Sequence, residues 1–353
     1  MVDFDQLKKN LKGLSKGNII TTVGSDKDLQ WINSPAYDLN RTLSGSLYKS
    51  VQESLHAIFV GPEACGKSSL MALLAADAQK KGFLPFVFNI EGAWTNKFVT
   101  RWGLDPDNML LFPGNFVEDV TLQLVKMYDA KMSNLCIIID SIGALESRKM
   151  IEDATTKNDV KADQGALAKK IKRMLKIIVG IVKFNENVLV LSAGHTYKNP
   201  NSYGSGEEIG GGGYLKLSAD ILISLKKSPI YEFPNETAKK NKGRILGNQI
   251  NASTLKNRLY PPFQESVINI DFQNGVNKMA GLVDIGLDMG LIEKAGSWYS
   301  INGERCGQGK EKVYEYFKEY PENLLNPIEE YLKTTGYSNV NKDLELEFGE
   351  DKE

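Results

Sequence analysis

The chain has 353 residues, 43 of them basic and 44 acidic, with 42% hydrophobic side chains, enough for one large domain plus a small one around a sizeable core. This charge balance excludes nucleic-acid or membrane binding by the overall field, so any such site comes from local clustering. Cys65, Cys136 and Cys306 are odd in number, widely spaced and without a C-x-x-C pair, which argues against a disulfide framework or zinc site and for small buried apolar groups.

Residues 1–33 begin with DFDQLKKNLKGL, an amphipathic helix pattern, and continue into NIITTVG (18–24), a β-prone run set apart by SDKDLQWINSP. A strand so detached either folds back on its own sheet or adds to a neighbour's sheet edge. The start MVDFDQLKKN is no signal peptide. LHAIFV (55–60), PFVFNI (85–90), LCIIID (135–140), VLVLSA (188–193) and ILISL (221–225) are short, continuous and β-branched, as in strands buried on both faces of a mostly parallel sheet. Helices are expected over 67–81, about 116–132 and about 164–184, an alternation that reads as α/β. RILGNQINAS and SVINIDF, near 244–272, extend that sheet in antiparallel fashion. The core domain is thus expected over 34–273. From 274 to 335 the texture changes to short, glycine- and aromatic-punctuated elements of a small α+β C-terminal domain. The stretch from Asn341 carries six acidic residues and two lysines, so 336–353 is expected to be an acidic disordered tail. No apolar stretch approaches the roughly 20 residues of a membrane span; a cytoplasmic protein with no membrane partner is expected.

GPEACGKSS lies between the first strand and the first core helix. It comprises Gly61, Pro62, Glu63, Ala64, Cys65, Gly66, Lys67, Ser68 and Ser69, and fits the phosphate-loop pattern G-x-x-x-x-G-K-[ST]. Backbone amides at the helix N-terminus would hold the phosphates of ATP. Lys67 would reach the β and γ phosphates and Ser68 would ligate Mg2+. Asp140, at the C-terminal end of LCIIID, would hold the Mg2+ shell through water, on the sheet edge where open α/β sheets bind ligands. Glu91 closes PFVFNIE at the same edge and is the expected base for the attacking water. His195 follows VLVLSAG and opens a long polar loop, of a length that marks function or mobility; it would report the γ-phosphate to that loop.

In combination, GPEACGKSS, NIEGAW, IIIDSIGAL, SAGHTY with GGGG, and KNR resemble the RecA family of homologous recombinases. GLVDIGLDMGLIEKAGSWYSINGERCGQGK looks like the end of bacterial RecA, whereas the His-Thr-Tyr segment and GGGG…SADILI look like the phage UvsX type. The resemblance runs from about residue 5 to about 335, and its mixed character favours a phage origin. It implies a RecA-like P-loop ATPase core. Glu91 would be the catalytic glutamate, Asp140 the magnesium-associated aspartate and His195 a γ-phosphate sensor in place of the bacterial glutamine. Phe98 would stack on adenine. Thr95 stands where an aspartate contacts the adenine amino group, which leaves base selectivity open. Lys256 and Arg258 would reach a neighbouring subunit's γ-phosphate, like arginine fingers.

The resemblance also implies two DNA-binding loops, about 148–164 and about 197–213, the second containing Lys198 and the glycines Gly210, Gly211, Gly212 and Gly213. Behind the first come Lys169, Lys170, Lys172, Arg173 and Lys176, which helical spacing is expected to spread over more than one face; those facing DNA would bind phosphates without regard to sequence and with strong salt dependence. The expected function is ATP-dependent strand exchange: a helical filament of the protein on single-stranded DNA, pairing with homologous double-stranded DNA, assisted by single-strand-binding and mediator proteins. The alternatives are a RecA-fold ring helicase and a nonhydrolysing regulatory paralogue. Residues 1–33 are too short for a typical helicase N-terminal domain, and retention of Lys67, Glu91, Asp140, Lys256 and Arg258 counts against the paralogue.

Overall fold

The computed structural model describes residues 29–157, 164–198, 207–210, 213–233, 242–301 and 303–335. The segment from Trp31 onward forms one compact unit. It opens with β1 (Trp31–Ile32), α1 (Tyr37–Ser44) and β2 (Val51–Gln52). Strand and helix then alternate through β3 (Leu55–Gly61), α2 (Lys67–Lys80), β4 (Leu84–Asn89), α3 (Asn96–Arg101), β5 (Leu110–Phe112), α4 (Val117–Asp129) and β6 (Leu135–Asp140). Next come α5 (Arg148–Lys157), α6 (Gln164–Phe184), β7 (Val188–Lys198), β8 (Glu207–Ile209) and α7 (Gly213–Ser218). The long β9 (Ile221–Phe233) and β10 (Lys242–Asn257), with β11 (Glu265–Asp271) and β12 (Gly275–Asn277), complete the sheet.

In that sheet β9-β3-β7-β6-β4-β5 run parallel. An antiparallel wing, β10-β11-β12, is added beyond β9. Every residue of β3 is buried, as a strand covered on both faces requires. Successive side chains point to opposite faces: Ala57 and Phe59 pack with Leu70, Met71 and Leu74 of α2, while Ile58 and Val60 join a second core with Leu124, Met174 and Ile178. In α4, Val117, Val120, Leu124 and Met127 are buried, a helical stripe turned to the sheet.

The chain ends in α8 (Leu282–Asp288), an antiparallel three-stranded sheet of β13 (Ile292–Ala295), β14 (Trp298–Ile301) and β15 (Glu304–Gln308), and the helices α9 (Lys310–Glu319) and α10 (Glu322–Thr335). Val283, Tyr299, Phe317, Leu324 and Ile328 form its own core, which Leu47 joins from the segment after α1. Glu329 fastens the two regions by accepting from Ser46 Oγ at 2.8 Å and Leu47 N at 2.7 Å.

The structure departs from the sequence reading at three places. β7 and β9 continue past residues 193 and 225 to Lys198 and Phe233, because their distal halves pair with β8 and β10. His195 therefore lies within a strand, and the segment expected to loop out from it is strand as far as Lys198 and again over Glu207–Ile209. The first expected DNA loop, 148–164, is helical over Arg148–Lys157, since RKMIEDA supplies helix formers without Gly or Pro. The amphipathic N-terminal stretch, NIITTVG and the acidic tail lie outside the described residues. Among the described residues no helix is long and apolar enough to cross a membrane.

Candidate active site

The phosphate loop leaves β3 at Gly61 and enters α2 at Lys67. Ala64 (φ 54°) and Gly66 (φ 100°) adopt left-handed backbone, which curls successive amides into a concave, anion-binding turn. No side chain caps the N-terminus of α2, so its first amides and the positive end of its dipole face the loop. Lys67 is buried and donates to the carbonyls of Gly61 at 3.0 Å and Pro62 at 2.8 Å. Cys65 is buried as well.

Parallel register brings the other groups alongside. Gly61 pairs with His195 and Asn89 with Asp140, so His195, Asp140 and Glu91, two residues beyond β4, meet at one sheet edge. Buried Asp140 accepts from Ser68 Oγ at 2.6 Å and from the Trp94 indole at 2.8 Å. Burial pushes its carboxyl up, against those two hydrogen bonds. Glu91 Oε1 accepts from Ser141 Oγ and meets His195 Nε2 at 2.9 Å, with His195 Nε2 also 3.1 Å from Ser141 Oγ. Partial burial pulls the Glu91 carboxyl upward, but the bonds from Ser141 and His195, with Lys67 nearby, outweigh it and hold the group below its usual range.

These groups line a cavity of about 900 Å³, together with Pro62, Glu63, Ala64 and Ser69. Its lining also includes the apolar Phe98, Trp102, Ile270 and Phe272 beside the polar Arg101, Lys227 and Asn248. Phe98 stands edge-on to Trp94 and Trp102, with centroids 5.4 and 6.3 Å apart. Thr95 does not line the cavity; its hydroxyl caps α3 by accepting from Phe98 N at 3.3 Å. A cavity that joins a phosphate loop to aromatic side chains suits a nucleoside triphosphate.

Lys256 and Arg258 do not line this cavity. Lys256 pairs with Leu222, which is level with Ile58. Arg258 N bonds Asp220 O, and Asp220 N bonds His56 O, near the start of β3, whereas the phosphate loop leaves its end. Neither cation serves its own chain's site from there.

The basic helix spreads its cations over more than one face, as its spacing implies. Lys169, Lys172, Arg173 and Lys176 are all exposed and stand at i, i+3, i+4 and i+7, which is one face of α6. Only Lys170 leaves it: its ammonium bonds Glu118 Oε1 at 2.6 Å and Ser147 Oγ at 2.7 Å, which tethers it to α4. Lys172 lies over the Tyr214 ring at 5.7 Å. Gly210 N donates to His195 O at 2.8 Å, and a β-carbon on Gly213 would meet open space. Lys198 ends β7, while Gly211 and Gly212 lie outside the described residues.

Sequence reasoning missed Ser141, Trp94, Trp102 and Phe272. Ser141 directly follows Asp140 and Trp94 stands three residues after Glu91, so proximity to the motifs was an available signal. Phe272 had none, since it arrives from the antiparallel wing.

Fold and site together define a phosphate-loop ATPase on a mixed sheet with an appended C-terminal domain. A family model for the RecA N-terminal domain matches residues 5–277, and one for the RecA C-terminal domain matches residues 280–335. Protein RecA of Nautilia profundicola is 28% identical over 333 residues, covering 93% of this chain and 89% of its own. Protein RecA of a Wolbachia from Brugia malayi is 31% identical over 269 residues, covering 76% and 72%. That of Nitratiruptor is 30% identical over 263 residues, covering 74% and 73%. The chain belongs to the RecA family: it is an ATP-dependent recombinase, a DNA-dependent ATPase of recombination and repair. A match through both RecA domains does not favour a ring helicase or a regulatory paralogue. These three relatives are bacterial and do not bear on the phage-type resemblance.

Proposed function

We propose that the cavity binds ATP with its phosphates on the 61–69 loop and its base against Phe98, and that Glu91 accepts the proton of the attacking water. The observation that carries this reading is the chain of contacts from base to DNA loop: Glu91 meets His195 Nε2, and the carbonyl of the same His195 receives the amide of Gly210. The depressed carboxyl keeps Glu91 ionised at neutral pH, as a proton acceptor must be. A γ-phosphate beside His195 competes with Glu91 for the imidazole, and that competition reaches the 197–213 loop through the Gly210 bond.

Ser68 Oγ and Asp140 Oδ2, 2.6 Å apart, suit a hard cation that keeps waters and phosphate oxygens as its other ligands. Mg2+ bound there would offset charge on the β and γ phosphates. Lys256 and Arg258 act on the neighbouring subunit's phosphates. Residues 1–33 link subunits; the open sheet edge at β5, where Leu110 and Leu111 are 49% and 48% exposed, suits an added strand. The exposed α6 cations and the glycine-rich loop contact single-stranded DNA, and double-stranded DNA pairs against it in a helical filament. Residues 34–273 are the motor domain and 274–335 its C-terminal appendage. Single-strand-binding and mediator proteins assist, in the cytoplasm.

The test is ATP hydrolysis without DNA, with single strands and with duplex, across salt. Strong stimulation by single strands that declines with salt supports the reading, and turnover indifferent to DNA removes it.

A further inference from the structure

Lys256 and Arg258 are each held by the segment that leaves the second DNA loop. Lys256 Nζ donates to the carbonyls of Lys216 and Leu217, 3.1 Å each, in the last turn of α7. Carbonyls there lack intrahelical partners and carry the negative end of the helix dipole, so they seat an ammonium. Arg258 Nη1 pairs with Asp220 Oδ1 at 2.7 Å, two residues beyond α7.

Asp220 is itself fixed on β3. Its Oδ2 accepts from His56 N at 2.9 Å and its amide donates to His56 O at 2.9 Å. The Asp220 side chain is 17% exposed and that of Arg258 57%. So exposed a pair contributes little to stability, and stability does not account for the pairing. Orientation does. α7 is also coupled upstream: it follows the Gly210–Gly213 stretch, buries Leu215 in the core and sets Tyr214 under Lys172 of α6.

We infer that Asp220 is a positioning residue for Arg258. Asp220 thereby sets the guanidinium that this subunit presents to its neighbour's phosphates. The inference rests on the proposed interface role of Arg258.

The test uses full-length protein in mixed filaments. Asp220→Asn keeps an acceptor for His56 N but removes the charge that orients Arg258. DNA-stimulated kcat should fall about tenfold with KM for ATP unchanged and filaments of normal length. Glu91→Gln subunits do not hydrolyse but present an intact Arg258. Mixed one to one with Asp220→Asn subunits, they should raise turnover per Asp220→Asn subunit several-fold, which a purely structural defect would not show. Arg258→Lys gives the same rescue test without touching the His56 contact, should Asp220→Asn fold poorly. Wild-type turnover by Asp220→Asn overturns the inference. So does a loss that Glu91→Gln subunits fail to rescue while they do rescue Arg258→Ala. If Arg258→Ala is not rescued either, the interface role falls, and the inference falls with it.

Discussion

Glu91 shows what one residue asks of its surroundings. It needs an ionised carboxylate at the sheet edge, and Ser141 and His195 supply the donors that keep it so. Glu91→Gln should lower kcat by about 10²- to 10⁴-fold while a fluorescent ATP analogue still binds; unchanged turnover would remove Glu91 as the base. A second residue, His56, has no part in the chemistry. It is fully buried, its Nε2 is 2.8 Å from Ser192 Oγ, and burial pushes it from 6.5 down to about 3. Between those values the unfolded chain binds a proton that the native state refuses, so this contribution is intact above pH 6.5 and is lost as pH falls toward 3. The slope is about 1.4 kcal/mol per pH unit. Urea unfolding of wild type and His56→Gln at pH 7.5 and pH 5 should show the gap between them narrowing at the lower pH. A constant gap would mean that His56 is not held neutral. Glu91 was legible in the sequence because a strand pattern ends beside it. His56 as a buried neutral group was not, since its burial depends on strands distant in sequence.

At the scale of elements, α6 and α8 make separate predictions. Lys169 and Arg173 share the exposed face of α6, so each Ala substitution should weaken single-strand binding and reduce the salt slope by about one. Lys170→Ala should leave that slope unchanged, because its ammonium is bound to Glu118; equal slopes for all three variants would contradict the one-face arrangement. α8 is preceded by Gly281, whose φ is 82° and whose added β-carbon would lie 2.2 Å from Asp38 Oδ2. Asp38 already pairs with Arg41 and accepts from Val267 N, both at 2.8 Å. Gly281→Ala should therefore cost about 2 kcal/mol or more, visible by calorimetry as a melting point several degrees lower. The existence of most core elements was legible from their apolar periods. Their lengths were less so: Thr196 to Lys198 and the far half of β9 look like polar loop until β8 and β10 pair with them.

For the whole molecule the open question is assembly. Deleting residues 1–33 should leave ATP binding intact and abolish long filaments; filaments of normal length from that truncation, seen by electron microscopy, would refute the subunit-linking role. The sequence by itself determined the α/β class, the phosphate loop and the carboxylates Glu91 and Asp140 at the sheet edge, because each is written locally. A loop of nine consecutive residues specifies its own backbone, and a short apolar run ending in an acid specifies a strand with a carboxylate at its tip. Only the tertiary structure decided that Ser141 and His195, 50 and 104 residues from Glu91, converge on one oxygen. It alone turned one face of α6 outward with Lys170 held back, and seated Lys256 and Arg258 on the end of α7 and on Asp220. Strand order and register create those contacts, and no local period along the chain constrains which strands become neighbours.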